Sequence, residues 1–326
     1  MNVSDPILNP NTPLAFVTAE EALGLTIALC LRSITVGAWC WDTVMSIAEE
    51  HRTFRKRRWR FPDYVYFLSR IASGVFVVVI FVYRVAPLEN CQIILQSSLW
   101  LAAAALQLNS LLFLLRLCGI FHDCQRVKGV FVVLWLAELA CSVLSSFSAY
   151  AKHVGPTKQC YTHSLTSFAP VGYIGVAVYD TLVFLTVSVK ILRIDPALDW
   201  KSEVKLFFNN KHMSHVYRTL LRTGQLYYFA TVCANIVLLA IMFSPTISPA
   251  LRISTTCPNV LIQNSMACKV FRLLRLEAMD GNSQRTISHE LPVRTQTPVT
   301  GVSATDVDNR TGKELDSCLY NPTYQV

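Results

Sequence analysis

The chain has 326 residues, of which 52% are hydrophobic and only 15% are charged, and its formal net charge is +8. A typical soluble domain carries about 25% charged residues, so this composition argues against a soluble protein and predicts a membrane protein. The basic residues occur in short clusters between apolar runs rather than along one polar face, which argues against nucleic-acid binding.

Seven apolar runs are long enough to form membrane-spanning helices, which need about 20 residues to cross the hydrocarbon core. They cover residues 22–47, 64–83, 93–117, 129–150, 169–191, 217–243 and 247–273. No Lys or Arg precedes the first run, so we expect a retained signal anchor rather than a cleaved signal peptide. The sequence therefore predicts an extracellular N-terminus (1–21), a seven-helix transmembrane domain (22–273) and a polar, disordered cytosolic tail (274–326).

Successive connections between the apolar runs are alternately rich and poor in lysine and arginine. This alternation indicates the orientation of the chain in the membrane. The connection after the first run, here called the basic hinge (Glu49–Arg60), contains six basic residues: Arg52, Arg55, Lys56, Arg57, Arg58 and Arg60. The third and fifth connections are also basic, whereas the N-terminal segment has no Lys or Arg. Because cytoplasmic loops carry the excess of positive charge, we expect the N-terminus outside and the C-terminus in the cytosol. The predicted fold is an all-α, seven-transmembrane-helix bundle.

Two of the eleven cysteines fall on the predicted outer side of the membrane. Cys91 lies at the outer start of the third helix and Cys160 lies in the fourth connection, and both therefore face the oxidising compartment. A disulfide between them would tie the long outer loop to the third helix. The alternative is a pair of free surface thiols.

Charged residues inside the predicted helices are expensive to bury in a membrane and therefore indicate functional positions. Counting 1.5 Å per residue places Arg32, Glu138 and Asp180 near the middle of the bilayer. The two carboxylates would either line a ligand cavity or form hydrogen bonds between helices. Polar residues on the third, sixth and seventh helices are candidates for the same space: Gln107, Asn109, Asn235, Gln263 and Asn264.

Asp42 and Arg70 lie at matching depths on the first two helices, near the basic hinge. This placement predicts a structural ion pair that holds the first helical hairpin together.

The seven-helix plan and the two outer cysteines resemble the general topology of G-protein-coupled receptors. The resemblance ends there, because the third helix closes with Leu115-Arg116-Leu117 instead of an acidic-Arg-aromatic triplet. Arg116 is a candidate for contact with a cytosolic partner, and the alternative is an ordinary positive charge at the inner membrane surface.

A closer resemblance is carried by Trp41-Asp42, the pair Glu49-Glu50, the basic cluster ending in Trp59, and the aromatic helix with Arg70. This pattern is similar to the N-terminal end of uncharacterised seven-helix integral membrane proteins of mushroom-forming fungi (basidiomycetes). The resemblance covers roughly the first two helices. It implies the fold and the membrane location, and it implies no activity or ligand.

Several enzyme and cofactor classes lack their motifs in this sequence. The last apolar run has no lysine before Lys269, which argues against a retinal Schiff base. The seven histidines lie in connections or in the tail, so we expect no metal site, and neither a G-x-S-x-G elbow nor a Walker A loop occurs. The sequence predicts no catalytic activity and no cofactor.

The predicted function is therefore that of a receptor-like, multi-pass membrane protein. It would sense an unknown extracellular small molecule or peptide by helix rearrangement and would pass the change to a cytosolic signalling partner. The alternative is a transporter or channel that uses the intramembrane carboxylates. We expect the plasma membrane rather than an internal membrane.

Overall fold

The computed structural model of the protein describes residues 17–54, 59–122, 124–154, 157–194 and 215–289. This part of the chain is mostly helical and also forms one small antiparallel sheet. Its elements are α1 (Ala19–Phe54), α2 (Phe61–Val85), α3 (Cys91–Ile120), α4 (Gln125–Ser146), β1 (Ala149–His153), β2 (Cys160–Leu165), α5 (Val171–Ile194), α6 (His215–Phe243), α7 (Pro249–Ser254) and α8 (Thr256–His289). Residues 55–58 of the basic hinge and the predicted tail from residue 290 onward lie outside the described residues.

Six of the described helices contain segments that are long and apolar enough to cross a membrane. They are Ala19–His51, Phe61–Val85, Cys91–Ile120, Gln125–Ser146, Val171–Lys190 and Leu226–Phe243. These helices are compatible with a multi-pass membrane protein, as the composition predicted. The seventh predicted span corresponds to α7 and α8 and is not among the six, since α8 carries several amide and basic side chains.

The connection between α4 and α5 differs from the all-helical prediction. The fourth helix was expected to reach Tyr150, but α4 ends at Ser146 and residues 149–153 form β1, which pairs antiparallel with β2. Serine hydroxyls compete for backbone hydrogen bonds at this point, and the Ser146 hydroxyl bonds to the Ser142 carbonyl oxygen. The predicted end of the fourth helix was therefore wrong, and the following connection contains a small sheet that the all-α prediction did not include. We call its two strands (residues 149–153 and 160–165) the outer hairpin.

The last helix continues beyond residue 273, where the prediction began the disordered tail. α8 runs on to His289. The residues around this boundary, Arg272-Leu273-Leu274-Arg275-Leu276, are strong helix formers, so the local sequence offers no reason for the helix to stop.

Helix α3 lies centrally and contacts α2, α4, α5 and α8. Glycines allow close helix contacts elsewhere: a side chain at Gly74 of α2 would overlap the Trp39 ring of α1, and one at Gly175 of α5 would press on Cys141 of α4. Membrane helices commonly pack through small residues at their interfaces, because these residues let the backbones approach closely.

Two hydrophobic clusters form the core of the bundle. The first, which includes Phe54, Tyr66 and Phe121, lies at the end where α1 approaches α2, here called the hinge end. The second, which includes Cys91 and Cys160, lies at the end that carries the outer hairpin, here called the hairpin end. Polar side chains occupy the level between these two clusters.

Candidate functional site

The level between the two hydrophobic clusters contains buried polar residues from six helices, which we call the polar layer. On α3 the cluster at the hairpin end finishes at Leu106 and the one at the hinge end begins at Leu112, apart from half-buried neighbours. The polar layer comprises Ser69, Gln107, Asn109, Ser110, Glu138, Asp180, Asn235, Asn259, Gln263 and Asn264.

Asp180 is the centre of one group in the polar layer, and only 1% of its surface is exposed. Its Oδ2 atom accepts hydrogen bonds from Asn235 Nδ2 at 2.8 Å and from Gln263 Nε2 at 3.2 Å. Asn235 Oδ1 accepts from Gln263 Nε2 at 2.8 Å and from Asn259 Nδ2 at 3.1 Å. Three of the predicted site residues therefore meet where α5, α6 and α8 converge, and Asn259 joins them.

Glu138 forms a second group between α4 and α3, and it is 2% exposed. Ser110 Oγ donates a hydrogen bond to Glu138 Oε1 at 2.7 Å. Gln107, one turn earlier on α3, donates from Nε2 to Ser142 Oγ at 3.4 Å.

Asn109 belongs to a third group, separate from the carboxylates. Its Oδ1 atom accepts a hydrogen bond from Asn264 Nδ2 at 2.9 Å, and Asn264 Nδ2 also donates to Ser69 Oγ at 3.4 Å. This group joins α2, α3 and α8. The seven ligand-binding candidates of the sequence are thus all buried at one level, but they divide into four hydrogen-bonded groups, because Gln107 bonds to Ser142 rather than to Glu138.

The carboxylates of the polar layer have no basic partner among the described residues. Asp180 Oδ1 and Glu138 Oε2 are buried and accept no hydrogen bond there, and neither residue forms an ion pair within this part of the chain. A buried, uncompensated carboxylate is unfavourable, so the site favours a proton, a cation or a hydrogen-bond donor.

A small cleft lies beside the polar layer, between α3, α4 and α5. Its free volume is about 20 Å³, which is room for roughly one water molecule. Ser142, Ser146 and Tyr173 contribute its polar lining, and the carboxylates of Glu138 and Asp180 do not line it.

The hairpin end is held together by a disulfide and by hydrogen bonds. Cys91 and Cys160 are joined, with their Cα atoms 5.4 Å apart. Gln92 of α3 donates to the Ala149 carbonyl oxygen and accepts from the Ala151 amide, which fixes β1 against α3. His153 lies within 4.8 Å of both sulfur atoms, but a disulfide has no free thiolate to offer a metal.

Asp42 and Arg70 meet at the hinge end, with Arg70 Nη2 3.6 Å from Asp42 Oδ2. Arg70 Nη1 lies closer to Glu50 Oε1, at 3.0 Å. Glu50 Oε1 also accepts a hydrogen bond from the Tyr66 hydroxyl at 2.6 Å and lies 3.5 Å from Arg272 Nη1. We call these five residues the ionic cluster; it joins α1, α2 and α8.

The sequence alone did not predict that Glu50, Tyr66 or Arg272 joins this cluster. A signal was present, because Asp42, Ser46 and Glu50 recur every four residues and therefore share one face of α1. Ser46 accepts a hydrogen bond from Arg70, in agreement with that spacing. Arg272 had no such signal, since its contact depends on how α8 packs against α1.

Arg116, the predicted residue for cytosolic coupling, is buried 5.0 Å above the Tyr228 ring of α6. Its Nε and Nη1 atoms have no hydrogen-bond partner among the described residues. Arg32, expected near the level of Glu138 and Asp180, lies nearer the hairpin end, where it donates to the Ile80 carbonyl oxygen.

No protein-family model, curated protein or solved structure matches this chain.

Proposed function

We propose that the protein is a seven-helix, multi-pass membrane receptor in which the polar layer responds to an extracellular ligand. Its N-terminus would lie outside and its C-terminus in the cytosol, in keeping with the distribution of Lys and Arg. α8 would serve as the seventh span. The low hydropathy of α8 is compatible with this role, because Asn259, Gln263 and Asn264 are all buried against other helices rather than facing lipid.

One observation carries this proposal: Asp180 is buried where three helices converge and has no basic partner among the described residues. A ligand with a cationic or hydrogen-bond-donating group would gain most from this carboxylate. It would enter from the hairpin end between α3, α5, α6 and α8. Because Asp180 Oδ2 already joins α6 and α8 to α5, a ligand that takes over this oxygen would shift those helices relative to one another.

At the hinge end the movement would reach Arg116, which packs on Tyr228 of α6. A cytosolic signalling partner would read the position of α6 there. The resemblance to basidiomycete membrane proteins is part of this proposal and rests on the α1–α2 motif.

A ligand screen on the purified protein in detergent tests the receptor function, with the thermal midpoint Tm as the readout. We expect a cationic or donor-bearing compound to raise Tm in a saturable way in wild type, and to raise it less in Asp180→Asn and Glu138→Gln. Glu89→Gln, an exposed carboxylate at the hairpin end, is the matched control and should respond as wild type. A response that is equal in Asp180→Asn and wild type for every stabilising compound contradicts the proposed site.

A transporter or channel is the second candidate, favoured by the same uncompensated carboxylates, since such groups commonly carry protons or cations through membranes. Purified protein in liposomes distinguishes the two. Flux of protons or alkali cations that is abolished by Asp180→Asn supports transport, and absence of flux with retained ligand binding supports the receptor.

The proposed orientation has its own test. A protease-cleavable tag after Val326 should be protected in intact cells, and a tag before Met1 should be cleaved. Cleavage of the C-terminal tag from outside contradicts the orientation without bearing on the polar layer.

A further inference from the structure

Two arginines lie buried under the outer hairpin. Arg32 of α1 is 2% exposed and Arg84 of α2 is 7% exposed. Arg32 Nη1 donates to the Ile80 carbonyl oxygen at 3.3 Å, and its guanidinium lies 5.8 Å from the centre of the Tyr83 ring. Arg84 Nη1 donates to the Cys160 carbonyl oxygen at 3.3 Å. Both guanidinium groups adjoin Tyr83.

Neither arginine has a carboxylate partner among the described residues. Neither forms an ion pair within this part of the chain, whereas Arg70 and Arg272 at the hinge end are both paired with glutamates. Two buried positive charges near the same tyrosine are costly unless an anion compensates them. Carbonyl oxygens and an aromatic ring offset only part of that cost.

Four hydrogen-bond groups around this pair are left unused in the described part of the chain. They are Arg32 Nε, Arg84 Nε, and the hydroxyls of Tyr83 and of Thr162 in β2, which adjoin each other and bond to no third group of the described chain. Thr162 is buried and adjoins the Tyr83 phenol, so both hydroxyls belong to the same small region as the arginines. Buried polar groups are normally hydrogen-bonded, and unused donors around uncompensated charge indicate a missing acceptor.

We propose that this region, the outer arginine site (Arg32, Tyr83, Arg84 and Thr162), binds a small anion. The chemistry of the donors suits a halide or a single carboxylate or phosphate group, because arginine and hydroxyl donors both favour compact anionic acceptors. The site goes beyond the proposed receptor function, since it shares no residue with the polar layer. A bound anion would join α1, α2 and β2, and it would thereby fix the outer hairpin to the bundle.

An anion titration tests this proposal. Full-length protein in detergent is dialysed into gluconate, a bulky anion, and chloride, formate or phosphate is then added at constant ionic strength while Tm is measured. We expect at least one of the three small anions to raise Tm along a saturable curve. Comparing the three distinguishes a halide site from a carboxylate or a phosphate site. No rise with any of the three overturns the proposal.

Substitutions test whether the anion-dependent rise in Tm depends on the residues of the outer arginine site. Arg84→Gln should raise the anion concentration at half-effect at least about tenfold, because a hydrogen bond to a charged group is lost with the charge itself. Arg252→Gln is the matched control: Arg252 also lies at the hairpin end, and its Nε donates to the Ile247 carbonyl oxygen. Its titration curve should overlie that of wild type. An unchanged curve in Arg84→Gln, or an equal loss in Arg252→Gln, contradicts the site.

Thr162→Val and Tyr83→Phe keep the proposal testable if Arg84→Gln does not fold. The two hydroxyls adjoin each other and bond to no third group in the described part of the chain, so removing either one should leave the protein folded in gluconate. We expect each to raise the half-effect concentration between about two- and tenfold. Unchanged curves in both variants overturn the assignment of these hydroxyls to the site. A failed ligand screen would leave the anion titration unaffected, which separates this inference from the receptor proposal.

Discussion

The ionic cluster at the hinge end and the polar layer differ in how their buried carboxylates are compensated. In the ionic cluster, Glu50 Oε1 has Arg70 at 3.0 Å, Arg272 at 3.5 Å and the Tyr66 hydroxyl at 2.6 Å. In the polar layer, Asp180 receives only amide hydrogen bonds, at 2.8 and 3.2 Å. Positive charge compensates the Glu50 carboxylate. The Asp180 carboxylate has no positively charged partner among the described residues.

This difference indicates different roles for the two regions. A paired charge network holds its helices in one arrangement, because breaking it leaves an uncompensated charge in a dry environment. A carboxylate that only accepts amide hydrogen bonds remains free to take up a proton, a cation or a ligand donor. We therefore interpret the ionic cluster as the structural connection of α1, α2 and α8, and the polar layer as the responsive region.

The largest expected effect comes from Arg70→Gln. Removing this guanidinium leaves Asp42 and Glu50 with less positive charge nearby, and breaking a buried ion pair costs about 3–5 kcal/mol in other proteins. We expect a loss of that size in the free energy of unfolding, measured by denaturant titration in detergent.

Lys158→Gln is the control for Arg70→Gln. It breaks an exposed ion pair with Glu89, and it should change the same free energy by less than about 1 kcal/mol. A loss from Arg70→Gln no larger than that of Lys158→Gln would show that the ionic cluster is not structural.

Glu50→Gln should have a smaller effect than Arg70→Gln. Glutamine keeps an oxygen that can accept from the Tyr66 hydroxyl and from the guanidinium groups, so it loses charge but not the hydrogen-bonding pattern. We expect the free energy of unfolding to fall by about 1–3 kcal/mol. A loss equal to that of Arg70→Gln would mean that net charge, rather than hydrogen bonding, dominates the cluster.

Asp180→Asn should change stability in the opposite direction. Asparagine keeps an acceptor for Asn235 and Gln263 but removes a buried charge that has no basic partner in the described residues. We expect the free energy of unfolding to stay equal to wild type or to rise by up to about 2 kcal/mol. A loss as large as that of Arg70→Gln would contradict the comparison, because it would reveal a compensating charge for Asp180.

Much of this arrangement could be predicted from the sequence because it depends on one-dimensional properties. Apolar run length predicts the helices, and the location of Cys91 and Cys160 on one predicted face anticipates their pairing. Depth along a helix places Asp180, Glu138 and Asn109 at one level.

The sequence could not show which side chains at one level meet, since that depends on how each helix is rotated. Asn109 and Ser110 are neighbours on α3, yet one contacts Asn264 and the other contacts Glu138. The contact between Arg272 and Glu50 spans 222 positions in sequence and depends on the packing of α8. The outer hairpin was missed because the apolar pattern of α4 continues into β1 without a Gly or Pro to mark the end of the helix.

Asn264→Leu should produce the smallest effect, and it tests whether the polar layer consists of separate groups. Hydrogen bonds between membrane helices contribute about 0.6 kcal/mol on average, so we expect a loss below about 1.7 kcal/mol. When Asn264→Leu is combined with Asp180→Asn, the two changes in the free energy of unfolding should add within about 0.5 kcal/mol. The reason is that the two groups share no hydrogen bond among the described residues. When Asn264→Leu is combined with Asn109→Leu, the two losses of stability should not add, since both changes remove the same hydrogen bond. Strong coupling between Asn264 and Asp180 would instead make the polar layer one connected network, and a ligand at Asp180 would then also act on α2 and α3.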